Sequence, residues 1–283
     1  MSKIQISNLT FQYPGQIYPL FEDVNLVLDT DWKLGLIGRN GKGKTTLFKL
    51  LLEEYEYQGT ISKRVEFEYF PFEIKEKEKM TLEILEEIDP HLEGWKIMKE
   101  LNLLKANTEI LYRPFHTLSG GEQVKVLLSF LFAKENHFLL MDEPTNHLDY
   151  EARKTIAEYL SKKKGFILVS HDRELLDKVT NHILAINKHK IEMIQGNYSI
   201  WKENRDRQNH FEMKQNEKLQ GEIKKLDNAS KEKTGWSNQV EKTKYGTYNS
   251  GLRPDTGYIG HKYRTFFSCS GRYSQITFPS SSV

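Results

Sequence analysis

Gly38-Arg39-Asn40-Gly41-Lys42-Gly43-Lys44-Thr45 fits the pattern G-x-x-x-x-G-K-[ST], whose residue types can do phosphate chemistry. The glycines at 38, 41 and 43 let the backbone curl until successive N–H groups face one anion. Lys44 can then reach the outer phosphates, and the Thr45 hydroxyl can serve a Mg²⁺ site. A second candidate is Asp142-Glu143, which follows the apolar run His137–Met141. Adjacent carboxylates repel each other. Opposite a phosphate loop, Asp142 can take Mg²⁺ while Glu143 activates or positions a water. A third is His171, after Gly165–Val169, where a parallel strand end would let it contact a terminal phosphate. A structural histidine is the plainer alternative. Leu118-Ser119-Gly120-Gly121-Glu122-Gln123 reads as a helix start with Ser119 and Glu122 as a capping box. Capping alone would account for it, although paired glycines at a helix start also leave bare N–H groups for an anion.

These residues need a scaffold of strands and helices. Lys33–Ile37 reads as a buried strand before the glycine loop, and Thr46–Leu52 as a helix after it. Residues 3 to about 30 alternate like a β-hairpin around Pro14-Gly15. Phe11-Gln12-Tyr13 precedes that turn, an aromatic group that could stack on a purine or fill the sheet surface. Gly59–Ser62 and Val65–Phe70 read as strands, the second ended by Pro71. Residues 80–133 change to helical spacing, a helical insertion. Tyr150–Leu160 reads as a helix, and Lys162-Lys163-Lys164 as its solvated end. Ile183–Ile186 and Lys190–Ile194 close the sheet. Beyond Gly196-Asn197-Tyr198-Ser199 the chain is charged and helical, with Phe211, Leu219, Ile223 and Leu226 on one stripe. Residues 234–262 turn to Gly, Asn, Tyr and Lys, which suits nucleic-acid contact or a disordered linker equally.

Composition narrows the class. The chain has 283 residues, 38% of them hydrophobic, and no apolar run approaches the ~18 residues that a membrane helix needs. Met1–Ile6 alternates like a strand and lacks a secretory pattern. Cys269 is the single cysteine, so no internal disulfide forms, which suits a reducing cytosol. Residues 1–200 hold 26 Lys/Arg and 30 Asp/Glu, a net −4, whereas residues 201–283 hold 15 and 9, a net +6. An acidic body with a basic extension suggests an anionic partner for the extension. Thr265–Val283 has six serines, three phenylalanines and no acidic residue, and reads as a tail without a defined fold.

In order, Gly38–Thr45, Leu118–Gln123, Leu140–Glu143 and His171 resemble the Walker A, signature, Walker B and switch-histidine motifs of an ABC ATPase domain. The resemblance covers residues 1 to about 200. It implies an α/β P-loop fold with a mixed sheet core, an antiparallel β subdomain and a helical subdomain. It also implies ATP held by Tyr13, Gly38, Asn40, Gly41, Gly43, Lys44, Thr45 and Thr46, with Tyr13 stacked on adenine. Thr45 and Asp142 would hold Mg²⁺, and Glu143 and His171 would be catalytic. Ser119, Gly120 and Gly121 would face ATP on a second ABC domain or a second copy, because such sites are shared between two domains.

The wording of Leu118–Gln123 and Glu143-Pro144-Thr145-Asn146-His147-Leu148-Asp149, with the charged helix after Gly196–Ser199, is similar to the ABC-F branch. These are soluble, cytoplasmic twin-domain proteins that act on ribosomes, where an arm reaches toward tRNA. The opening segment and Tyr69-Phe70-Pro71-Phe72-Glu73 resemble the ribosome-protecting proteins for lincosamides, streptogramin A and pleuromutilins. Phe72 stands where the family usually has a Mg²⁺-contacting glutamine. The expected organisation is an ATPase domain at 1–200, a helical arm at 201–262 and an out-of-frame tail at 263–283. The chain would then be the N-terminal half of a twin protein. The alternatives are an ATP-binding subunit of a membrane transporter and a non-functional fragment.

Overall fold

The computed structural model describes residues 2–146, 148–187 and 190–248. Expectations resting on His147, Lys188 or residues 249–283, the tail and Cys269 among them, lie outside the described residues. Strands β1 (Lys3–Phe11) and β2 (Phe21–Asp29) pair antiparallel, as the alternation predicts. The two later strands part company. β4 (Gln58–Ser62) joins β1 in a three-stranded antiparallel sheet ordered β2-β1-β4. β5 (Glu66–Phe70) instead enters a six-stranded sheet with β3 (Lys33–Ile37), β6 (His137–Asp142), β7 (Phe166–Val169), β8 (His182–Asn187) and β9 (Lys190–Gln195). Its order is β5-β6-β7-β3-β8-β9, parallel except for β9.

The near-continuous apolar strands follow from burial on both faces. Leu139 and Met141 of β6, Phe166 and Leu168 of β7, and Ile183 and Ala185 of β8 point into one core. Their neighbours Phe138, Leu140, Ile167, Val169, Leu184 and Ile186 point into the other. The first core is covered by helices α2 (Thr81–Ile88), α3 (Gly94–Leu103), α4 (Gly120–Ala133), α5 (Tyr150–Leu160) and α6 (Arg173–Val179). The second is covered by α1 (Lys44–Leu51) and the three-stranded sheet. Mixed sheet, antiparallel layer and helical layer are the architecture anticipated above.

One expectation needs correction, and one open alternative narrows. Lys163 is not merely a solvated helix end. Its amine pairs with the buried Glu100 of α3 and lies 4.9 Å from the centroid of the Tyr159 ring and 5.4 Å from that of Phe132. Tyr159 donates its hydroxyl to the same carboxylate at 2.6 Å. Helix α7 (Tyr198–Tyr248, 51 residues) also runs on past 234, through Gly235. A glycine costs a helix only about 1 kcal/mol, which its neighbours can carry. The described residues divide into two units, one ending at Lys214 and the other beginning at Gln215. On α7 the apolar residues Phe211, Leu219, Ile223 and Leu226 are exposed.

Candidate active site

β6, β7 and β3 are sheet neighbours, and their carboxyl ends carry three of the four motifs. The register makes those ends level. Asp142 lies opposite Val169, and Leu168 lies opposite Gly35. Two residues past Val169 stands His171, and just past β3 the glycine loop begins. In open α/β sheets this edge is where ligands bind.

The loop closes onto α1. Gly43, the residue before the helix, has φ +94°, and a Cβ there would lie 2.9 Å from Leu20 Cδ2. A side chain would thus meet both backbone strain and a steric clash. Lys44 donates from Nζ to its own loop, to the Gly38 carbonyl at 3.0 Å and to Asn40 Oδ1 at 3.4 Å. An ammonium has three donors, so one is left for an incoming anion. The neighbouring Thr45 hydroxyl donates to Asp142 Oδ2 at 3.0 Å, bridging α1 to β6.

Asp142 and Glu143 avoid each other through the backbone. Glu143 has φ +52°, a left-handed conformation that turns its side chain toward the β7 end. Glu143 Oε2 accepts the His171 backbone N–H at 3.2 Å, while Oε1 lies 3.5 Å from His171 Nε2. Oε1 is buried and makes no hydrogen bond with the described residues. Burial pushes the Glu143 carboxyl above the usual carboxylate range, against the lowering effects of the His171 N–H and charge. A shifted, under-bonded carboxylate at a strand tip is a mark of a functional site.

Tyr13 is half-buried. Its hydroxyl shares a 2.8 Å hydrogen bond with Thr46 Oγ1, and its ring meets Phe11 edge-on at 4.9 Å and Tyr55 at 5.9 Å. This ties the aromatic group to the start of α1. Phe72 packs against Phe130 at 5.7 Å, an apolar contact instead of a metal ligand. Tyr69 was not foreseen. Its hydroxyl donates to Asp142 Oδ2 at 3.4 Å, and burial followed by the Asp142 charge pushes its pKa up to about 12. Pairing of β5 with β6 makes that contact, and nothing local to Tyr69 announces it.

Ser119 caps α4 in a full capping box. Its N–H and hydroxyl both bond Glu122 Oε2 at 2.8 Å, and its Oγ accepts the Glu122 N–H at 3.3 Å. The Ser119 bonds hold the Glu122 carboxyl below its ordinary range. A cavity of about 840 Å³ reaches Gly38, Lys44 and His171, and Ser119, Gly120 and Gly121 are not part of its lining. The structure therefore brings together Gly38–Thr46, Tyr13, Asp142, Glu143 and His171. The Ser119–Gly121 turn heads α4, where the hydrogen bonds of Ser119 run to Glu122 and Gln123.

The ABC transporter family matches residues 21–146. The chain is 31% identical, over 83% of its length, to the Bacillus subtilis (strain 168) protein named "Uncharacterized ABC transporter ATP-binding protein YkpA", and covers 52% of that protein. It is 28% identical over 84% of its length to "Ribosome protection protein VmlR" of the same organism, covering 41% of it. To "ABC transporter F family member 2" of Arabidopsis thaliana it is 28% identical over 71% of its length, covering 31%. It thus spans about half or less of the length of these relatives. Its fold is similar to a solved structure described as an inward-facing conformation of a putative metal-chelate type ABC transporter. There the TM-score is 0.59 at 25% identity, covering 69% of this chain and 84% of the other. Strand order, motif order and relatives agree that the chain carries an ABC ATPase domain with relatives in the ABC F family.

Proposed function

We propose that this chain binds Mg-ATP and hydrolyses it to ADP and phosphate at a site completed by a second ABC domain. We further propose that it acts in the cytoplasm, on the ribosome, as an ABC-F-type protein. The observation that carries the chemistry is the convergence of Lys44, the Thr45–Asp142 pair and the Glu143–His171 pair at the ends of three adjacent strands. Lys44 and the loop N–H groups hold the phosphates. The Thr45 hydroxyl and the Asp142 carboxylate set two hard oxygens side by side, a donor set that suits Mg²⁺, whose other ligands are usually water and phosphate. When bound, Mg²⁺ supplies neutralisation of the charge that builds on the phosphates. Glu143 Oε1 accepts a proton from the attacking water, helped by a pKa raised toward the working pH. His171 stays beside that carboxylate and faces the terminal phosphate. Tyr13, fixed through Thr46, offers its ring to the adenine.

Ser119, Gly120 and Gly121 act on ATP held by another domain, so one chain supplies half of each site. Hydrolysis per chain should therefore rise with protein concentration, while ATP binding should not. Turnover independent of concentration, with no dimer in sedimentation, would overturn the shared site. Support for the ribosome comes from the net +6 of residues 201–283 and from likeness to a protein named for ribosome protection. The test is pelleting of ribosomes with the Glu143→Gln chain and ATP. Co-sedimentation supports the reading, and an unchanged supernatant fraction refutes it. A transporter ATP-binding subunit is the second reading, favoured by the fold likeness to a transporter structure. Co-purification with membranes instead of ribosomes would select it.

A further inference from the structure

The cavity beside the glycine loop has more positive charge than one bound nucleotide uses. Among the described residues, Arg39, Lys42, Lys44, Arg173 and Arg205 line it, with Glu192 as the one carboxylate, a formal +4. Lys44 belongs to the nucleotide. The charged side-chain groups of Arg39, Lys42, Arg173 and Arg205 have no hydrogen-bond or ion-pair partner among the described residues. Glu192 accepts the Asn187 amide at 3.0 Å and, as a single carboxylate, offsets only one of the five positive charges. Asp142 and Thr45 are not in the lining, so this chamber lies off the side of the loop where those two groups meet.

The far wall is the root of α7. Tyr198 and Trp201 are half-buried, with ring centroids 5.6 Å apart, and they pack against the helical-side core. Arg205, one turn further on, is half-buried too. Ser199 N–H donates to Asp177 of α6 at 2.8 Å, which fixes that first turn. The wall is thus anchored, and it presents a guanidinium across the chamber from the loop. Four unpaired cations around a fixed chamber are arranged for an anion, which would supply the charge-assisted bonds that they lack.

We infer that this chamber is a second phosphate site, which receives the inorganic phosphate produced at the neighbouring ATP site. The inference rests on the hydrolysis reading above. Lys44 and His171 border both spaces, so the product leaves the ATP site directly into the chamber. Near neutral pH inorganic phosphate carries between about one and two negative charges, which Arg173 and Arg205 can grip in forked pairs. Product held there also contacts α7, so release of phosphate is sensed at the root of the arm.

Equilibrium dialysis of the full chain with labelled inorganic phosphate at low ionic strength tests this. The Lys44→Ala chain, stripped of its loop site, should still bind one phosphate. Adding Arg173→Gln and Arg205→Gln should weaken that binding about tenfold for each guanidinium removed. Arg39→Gln with Lys42→Gln, both exposed and harmless to the core, should weaken it as well. Loss of all phosphate binding in Lys44→Ala, or unchanged binding in the triple variant, would overturn the inference. ATP binding measured alongside separates the two ideas. An intact chain that takes phosphate in this way but does not bind ATP would refute the hydrolysis reading and leave the anion site standing.

Discussion

Replacing Glu100 by Ala should loosen the helix layer that carries the signature turn. Glu100 is 8% exposed and accepts the Tyr159 hydroxyl at 2.6 Å, with the Lys163 amine on the same oxygen. Burial and this carboxylate together hold the Tyr159 phenol well above its ordinary range. Truncation leaves a buried hydroxyl without its acceptor, a loss of about 1–3 kcal/mol. Breaking a fully buried ion pair costs about 3–5 kcal/mol, but the Lys163 side chain is 18% exposed and can turn to water, so less is lost here. We expect about 2–4 kcal/mol in all. For a domain of this size that lowers Tm by roughly 4–16 °C in a thermal melt. Glu100→Gln keeps an acceptor for Tyr159 and should lose about half as much. Because α3 packs on α4, Glu100→Ala should also impair hydrolysis more than ATP binding if the site is shared as proposed. A loss below about 1 kcal/mol, or equal losses for Ala and Gln, would refute the reasoning.

Three further outcomes are expected. Glu143 has its native pKa raised, so the folded state binds more protons than the unfolded one. Stability should therefore fall as pH rises from the ordinary carboxylate range through the raised value. Denaturant melts of Glu143→Gln should lose that slope, and its hydrolysis should drop about 10²–10⁴-fold with ATP binding kept. Gly59→Ala would set a Cβ 2.5 Å from the Asn8 carbonyl oxygen at φ +108°, so the β1–β4 pairing should weaken by about 2 kcal/mol or more in urea titration. Ser119→Ala removes the α4 cap and should cost about 1 kcal/mol of stability, and concentration-dependent turnover should fall further than that loss explains.

Much of the site was legible because its signals are local. A glycine loop between a strand and a helix, an acidic pair after an apolar run, and a capping box each span fewer than ten residues. Physical chemistry gives each a use without knowing its neighbours. The strands were legible too, since burial on both faces leaves unbroken apolar runs such as Phe138–Met141.

Contacts distant in sequence were a different matter. Gln58–Ser62 and Glu66–Phe70 look alike as strings, yet one joins the antiparallel sheet and the other the parallel core, because partner choice depends on which edge is free. Lys163 reads as one of three surface lysines until α3 brings Glu100 beneath it. Tyr69 gains its role only when β5 lies beside β6, and the unpaired cations share a chamber only when the root of α7 closes it. The sequence alone carried the case for phosphate chemistry, since backbone curl, charge and hydroxyl lie within a few residues of one another. The tertiary structure alone decided which groups share a proton, an ion pair or a cavity, because those energies depend on distance through space and on burial.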